Sequence, residues 1–332
     1  MKIILSLKRT GLLFLSAIFA LFMAELTFRF FNDYIVDYRF GLVRSLRFNE
    51  LELDPDIGYR PVLGGVSYSE AGTRTNEYDI GKKREGAQRL LFLGDSVVKR
   101  ERITQSLRQL YGEEKFEYWN AGIEGINTLQ EVQQYISHNH IIDPDQVVLF
   151  FHNNDFSYIP VVFLDSKDEI VFYRLPFIHK VRHKWLFRNV FLYRFLVMRY
   201  PEVMLKDEER EFLPKMENNV AEQLALLKNV LESDGIPLTV VILPIVDDFE
   251  NWQVFENENH AEIKRILTEL NIRNIDLREA LEQPNPFTGK VRQYSTQFDR
   301  WHPDGELAEY LARYLYDRDL LGIKEIEQNK RK

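Results

Sequence analysis

The sequence carries a hydroxyl, a glycine amide, an amide side chain and an imidazole, each just beyond an apolar run or just ahead of a helix-like one. Ser96 follows "LLFLGD", Gly122 and Gly125 follow "FEYWNA", Asn154 follows "QVVLFFHN", and Asp299 and His302 stand in "FDRWHPDG". Together these types meet the needs of acyl transfer. A serine hydroxyl is a weak nucleophile and needs a base within hydrogen-bond reach. Histidine fits that role because its ordinary pKa lies near working pH. A carboxylate three residues earlier can turn back to the imidazole Nδ1 and fix the tautomer. The tetrahedral intermediate needs preset donors, which a glycine N–H, an asparagine NH₂ and the N–H of Ser96 could supply. A competing reading is equally physical on the local residues alone: Asp or Ser ahead of an amphipathic run is the usual helix N-cap.

These groups need elements to bring them together. The candidate strands are "LLFL", "FEYWNA", "QVVLFFH", "LTVVILP" and "NIDL". Helix-like segments begin near Val97, Asn127, Met216, His260 and Gly305. Strand–helix alternation predicts an α/β fold, flavodoxin-like, with three α/β/α layers around a mainly parallel five-stranded sheet. Burial on both faces explains why "VVLFF" and "TVVIL" are continuously apolar. In such sheets ligands sit beyond the carboxyl ends of the strands, where Ser96, the glycines Gly122 and Gly125, and Asn154 are expected.

The 332 residues carry a net charge of −8 and no cysteine. An acidic chain lacks the basic face of a dedicated nucleic-acid binder. Without cysteine there is no disulfide and no thiolate metal site. His138 and His140 form an H-x-H, but no further ligand cluster accompanies them, so neither a metal nor a cofactor is expected. At the N-terminus, Lys2, Lys8 and Arg9 precede an apolar run from Gly11 to Ala24, which resumes beyond Glu25 through Phe31. Cleavage after Ala24 would put Phe22 at the −3 position, a poor signal, so residues 1–32 read as a tail and an uncleaved membrane anchor. Arg29, Arg39, Arg44 and Arg47 follow the run and nearly balance the positive-inside rule. The short basic tail places the remaining chain on the periplasmic or extracellular side, single-pass, with membrane lipid as a partner. Residues 33–85 read as a turn-rich stalk with accessory strands, and 326–332 as a charged tail.

One block interrupts the alternation. Between Phe172 and Leu205, Arg188, Arg194 and Arg199 do not share a helical face. Within an insertion at about 157–208, the simplest reading is a helical cap on the sheet domain. Membrane-surface contact and a mobile lid are the alternatives.

The strand-end motifs resemble those of the SGNH/GDSL hydrolases, in family order from Arg89 to the last helix. "GDSV" resembles the first block, "NAGIEG" the second, "HNND" the third and "DRWH" the fifth. The anchor, "ELTFRF" and "DPDIGYRP" are similar to membrane-anchored bacterial members. The resemblance implies catalytic Ser96, Asp299 and His302, with an oxyanion hole from Ser96, Gly125 and Asn154. It also implies an O-acyl esterase or O-acetyltransferase acting on cell-envelope glycan esters, with lipid esters next. A carbohydrate-binding or assembly protein that keeps the fold without turnover is the reading from another class.

Three departures bear on that expectation. Val97 replaces the usual leucine and keeps an apolar helix start. Lys99 and Arg100 stand where many members place glycine, either favouring an anionic substrate or simply solvated. His152 replaces the glycine of the third block, and either narrows the site or turns away into a satisfied hydrogen bond. Asp304 is a rival partner for His302, though "PDGELAEYL" reads as a turn in which Asp304 caps the last helix.

Overall fold

The computed structural model describes residues 2–31, 50–74, 78–157, 159, 161–164, 170–173, 180–181, 183–199, 205–206, 217–283 and 299–323. Residues 33–49 and 75–77 of the expected stalk, much of the insertion, and the charged tail lie outside these residues. In chain order the elements are α1 (Lys2–Phe30), β1 (Leu51–Asp54), β2 (Gly58–Pro61), β3 (Gln88–Gly94), α2 (Ser96–Lys99) and α3 (Arg102–Tyr111). They continue with β4 (Phe116–Gly122), α4 (Thr128–Ser137), β5 (Gln146–Phe151), β6 (Val161–Leu164), β7 (Ile170–Tyr173) and β8 (Lys180–Val181). The insertion also holds α5 (Lys184–Asn189), α6 (Phe191–Arg199) and β9 (Leu205–Lys206). The rest are α7 (Val220–Ser233), β10 (Leu238–Ile242), α8 (Val254–Glu269), β11 (Arg273–Asp276), α9 (Arg278–Leu281) and α10 (Gly305–Asp317).

The chain divides into two compact units, residues 1–59 with 158–216, and residues 60–157 with 217–332. The second unit holds a five-stranded sheet in the order β11-β10-β5-β3-β4, every pair parallel. Read from the other edge, this is the flavodoxin-like order, with its switch point between β3 and β5. Alternate residues of the apolar strands feed opposite layers. Leu90, Phe92, Val148, Phe150 and Val241 pack with Ile103 and Leu107 of α3 and Leu307, Leu311 and Leu315 of α10. Leu91, Leu93, Val147, Leu149 and Val240 pack with α4, α7 and α8 through Val132, Leu227 and Ile266. Both faces are therefore dry, as the unbroken hydrophobic runs require.

Two helix starts differ from expectation. The segment expected to begin near His260 begins at Val254, because Gln253 caps it in a reciprocal box with Glu256. The polar "ENEN" stretch hides the helical period of that first turn. The segment expected near Met216, which lies outside the described residues, is helical from Val220, where Asn219 accepts from the Glu222 N–H.

In the first unit, Gly11–Phe30 of α1 is long and apolar enough to cross a membrane. At about 1.5 Å per residue a helix of this length spans roughly the 30 Å hydrocarbon layer. Leu12, Leu13, Phe14 and Phe19 are exposed along it. Near its end, Glu25 accepts from the backbone N–H groups of Phe191 at 3.0 Å and Leu192 at 2.8 Å, the first residues of α6. Arg29 pairs with Glu25 at 2.8 Å and donates to the Asn189 carbonyl at 2.7 Å. The block from Phe172 to Leu205, expected to be helical, contains short strands at both ends. β6 pairs antiparallel with β7, and β8 with β9.

Candidate active site

Asp95, not Ser96, caps the helix after β3. Its Oδ1 accepts from the Val97 N–H at 2.8 Å, which makes Ser96 the first residue of α2 and leaves its hydroxyl for another partner. Its nearer partner is His302: Ser96 Oγ lies 2.7 Å from His302 Nε2, against 3.4 Å from Asp95 Oδ2. His302 Nδ1 lies 2.8 and 2.9 Å from the two Asp299 oxygens. Since Asp299 can only accept when ionised, Nδ1 carries the proton and Nε2 faces the serine as an acceptor. Asp304 does not compete for His302; its side chain accepts from the Leu307 N–H and caps α10.

Burial pulls the Asp299 pKa upward. The hydrogen bond and charge of His302, the Trp301 N–H and Arg100 outweigh this and hold it below its ordinary value. Arg100 Nη1 reaches Asp299 Oδ2 at 3.1 Å, and Lys99 Nζ stands 3.9 Å from Glu124. Both cations thus have carboxylate neighbours within the protein, a pairing that neither sequence reading foresaw. The 199-residue separation of Arg100 from Asp299 leaves no local signal for it.

The close approach of α2 to the sheet depends on glycine. Gly94 of β3 and Gly122 of β4 stand side by side in register. A Cβ on Gly122 would come within 2.2 Å of the Lys99 nitrogen and 2.6 Å of the Val98 carbonyl carbon. The loop beyond Gly122 carries Gly125 at φ +70°, a conformation that L side chains rarely adopt. Its entrance is tied to β3 by Ile123 N–H donating to the Gly94 carbonyl at 3.2 Å. Its exit is tied to the loop after β5 by Asn127 Nδ2 donating to the Ser157 carbonyl at 2.9 Å.

The loop after β5 returns to Ser96 through Asn154, whose Nδ2 donates to Asp95 Oδ2 at 2.9 Å. His152 is buried and its Nδ1 lies 2.8 Å from Asn154 Oδ1, so it turns into a hydrogen bond. Its ring meets Trp301 edge-on, with centroids 5.4 Å apart. Burial lowers the His152 pKa, and the neighbouring His302 adds to that against the opposing pull of Asp95, Asn154 and Asp299. Behind the loops, Glu131 is buried. Desolvation, with the charges of Asp155 and Asp95, pushes its pKa well above the ordinary carboxylate value.

The loop bearing His302 is clamped by Arg300, whose two Nη atoms donate to the two oxygens of buried Glu256, each at 3.1 Å. Val246 N–H also donates to the Arg300 carbonyl at 2.8 Å. Sequence reasoning missed the contacts by which Arg300 and Asp95 hold these loops in place. Among the described residues no cluster of three or more His, Cys, Asp or Glu side chains could hold a metal ion.

No protein-family model matches the chain, and no curated protein matches it significantly. Solved structures do. An acetyl xylan esterase, AlAXEase, is 18% identical, aligns over 71% of this chain and 99% of its own, and has a TM-score of 0.42. An acetylxylan esterase from Geobacillus stearothermophilus, solved as a catalytic mutant, is 16% identical over 72% of this chain and 96% of its own, at a TM-score of 0.42. A lipase/acylhydrolase from Enterococcus faecalis is 18% identical over 70% of this chain and 96% of its own, at 0.40. In its strand-end motifs and the α/β fold that presents them, the chain resembles the SGNH/GDSL hydrolases.

Proposed function

We propose that this chain is a membrane-tethered serine esterase of the SGNH type. The observation that carries the reading is the continuous hydrogen-bond line from Ser96 through His302 to Asp299, at 2.7 and 2.8 Å. That line forms beside the switch point of a parallel sheet, where open α/β folds bind ligands. His302 Nε2 takes the Ser96 proton as Oγ attacks the acyl carbon. Asp299 holds the imidazole in place and stabilises the imidazolium that forms. The oxyanion is held by the N–H groups of Ser96 and Gly125 and by Asn154 Nδ2. His302 then returns the proton to the leaving alcohol oxygen as the carbon–oxygen bond breaks. Water, deprotonated by the same imidazole, releases the acid and restores Ser96.

The apolar helix Gly11–Phe30 supports tethering of the enzyme at a membrane. With the bulk of the chain outside the cytoplasm, the substrates within reach are O-acyl esters of envelope glycans, acetyl esters foremost. A sugar hydroxyl in place of water would make the same residues an O-acetyltransferase. The nearby bilayer favours a second reading, hydrolysis of lipid esters.

The test is labelling of the full chain in detergent with a fluorophosphonate probe, alongside Ser96→Ala and His302→Ala. Labelling that needs both residues is expected. A folded wild type that stays unlabelled would sink the esterase reading and favour a carbohydrate-binding or assembly role. Acetyl release from acetylated glycan against release from short- and long-chain lipid esters then separates the substrate classes.

A further inference from the structure

We infer that His152 is a positioning residue for the oxyanion site, fixing the amide of Asn154 so that its NH₂ faces Asp95 and the place of the oxyanion. This rests on the esterase reading and adds a residue where the resembling family carries glycine.

The argument is one of donor and acceptor supply. Asp95 uses Oδ1 for the Val97 N–H and Oδ2 for Asn154 Nδ2. An ionised carboxylate only accepts, so the NH₂ side of Asn154 must face it. The Asn154 oxygen then faces His152 Nδ1 at 2.8 Å, and that nitrogen must be the donor. His152 is therefore the Nδ1–H tautomer. Its Nε2 is buried with no hydrogen-bond partner among the described residues, an arrangement that favours a bare nitrogen over a second N–H.

The consequence falls on the second N–H of Asn154. An asparagine amide rotates between two orientations of nearly equal shape, and only one presents a donor to an oxyanion. Asp95 and His152 bind opposite ends of the same amide, and both oppose the flipped state: the Asn154 oxygen would meet the Asp95 carboxylate, and His152 could accept the NH₂ only as the Nε2–H tautomer, which buries an N–H with no partner among the described residues. The ring is held in turn by Trp301, the residue beside His302, and by the His152 backbone N–H donating to Asp155 Oδ2 at 2.6 Å. One line of contacts thus joins the cap of α2, the oxyanion donor and the histidine loop. Preset donors of this kind cost no reorganisation at the moment of reaction.

The test compares three variants of the full chain in detergent, with p-nitrophenyl acetate turnover and the rate of fluorophosphonate labelling as readouts. An asparagine amide nitrogen overlaps imidazole Nδ1, whereas a glutamine amide nitrogen overlaps Nε2. His152→Phe keeps the ring beside Trp301 and loses the donor. It is expected to lower kcat about 10- to 100-fold with KM nearly unchanged, the mark of a group that acts on the transition state. His152→Gln should fall similarly, and His152→Asn should recover to within about fivefold of wild type. Wild-type kcat in folded His152→Phe would overturn the inference, as would His152→Asn no better than His152→Gln. If His152→Phe does not fold, the Asn–Gln comparison decides alone. Unlabelled Ser96 in the folded wild type would overturn the esterase reading and this inference with it. Normal labelling of wild type and of His152→Phe alike would overturn this inference only.

Discussion

Asp95 Oδ2 accepts from Asn154 Nδ2 at 2.9 Å, which ties the end of β3 to the loop after β5 directly beside Ser96. The same carboxylate caps α2 through its other oxygen. Its two tasks separate in mutants. Asp95→Asn can keep the cap with its amide oxygen but turns an NH₂ towards Asn154, so the oxyanion donor swings out. The expected result is a fall in kcat of about 100-fold, the scale of losing one such donor, with Tm nearly unchanged. Asp95→Ala should show the same loss and, in addition, about 1 kcal/mol of destabilisation from the missing cap in a urea titration. An Asp95→Asn variant at wild-type kcat would refute the link.

Arg100 and His302 share Asp299, yet their removal should differ sharply. Arg100 and Asp299 are both more than a third exposed, and the 3.1 Å pair is screened by solvent. Arg100→Ala is expected to change kcat no more than a few-fold and to weaken no structure. Asp299→Ala removes the group that sets the His302 tautomer, and kcat should fall by about 10³- to 10⁴-fold. Steady-state kinetics on the two variants checks both. Near-equal losses would mean that Arg100, rather than His302, is the partner that matters to Asp299.

Gly122 offers a steric prediction. In Gly122→Ala the new methyl group meets the Lys99 nitrogen at 2.2 Å, and backbone cannot yield as a flexible side chain can. α2 must shift, carrying Ser96 away from His302. Activity should drop by at least about 100-fold, on the scale of a misplaced nucleophile. Thermal unfolding should come several degrees earlier, as overpacking costs about 1–3 kcal/mol. Wild-type stability together with wild-type turnover would contradict the packing described.

Asp276, at the end of β11, predicts how stability falls in acid. Burial raises its pKa, but hydrogen bonds from His260 at 3.0 Å and Lys264 at 2.9 Å outweigh this and bring it to about 2. The ordinary value is 3.8. The folded state thus binds this proton less readily than the unfolded chain. Its stabilising contribution is complete above about pH 4 and is lost as pH falls from there towards 2. Asp276→Asn should be less stable than wild type at pH 6, and its Tm should decline less between pH 4 and 2. Parallel Tm-versus-pH curves would remove this assignment.

The sequence alone determined the sheet and the chemical inventory. Continuous apolar runs between amphipathic stretches have few solutions other than a parallel sheet covered on both faces. The strand-end positions of Ser96, Gly125 and Asn154 follow from the same pattern. Asp299, three residues before His302, and the cap at Asp304 were also legible, because their partners lie within one turn of chain. What only the tertiary structure decided was pairing at a distance. Asp95 and Asn154 lie 59 residues apart, and Ser96 and His302, which only the motif resemblance had put together, lie 206 apart; no local rule ranks such contacts. Arg100 read as a solvated or substrate-facing cation until the fold laid α2 against the loop before α10. His152 read as a departure from a motif until its ring nitrogen was seen opposite the Asn154 oxygen. Local patterns carry backbone period and burial, whereas the use of a hydrogen-bonding group depends on which other group the fold brings within 3 Å.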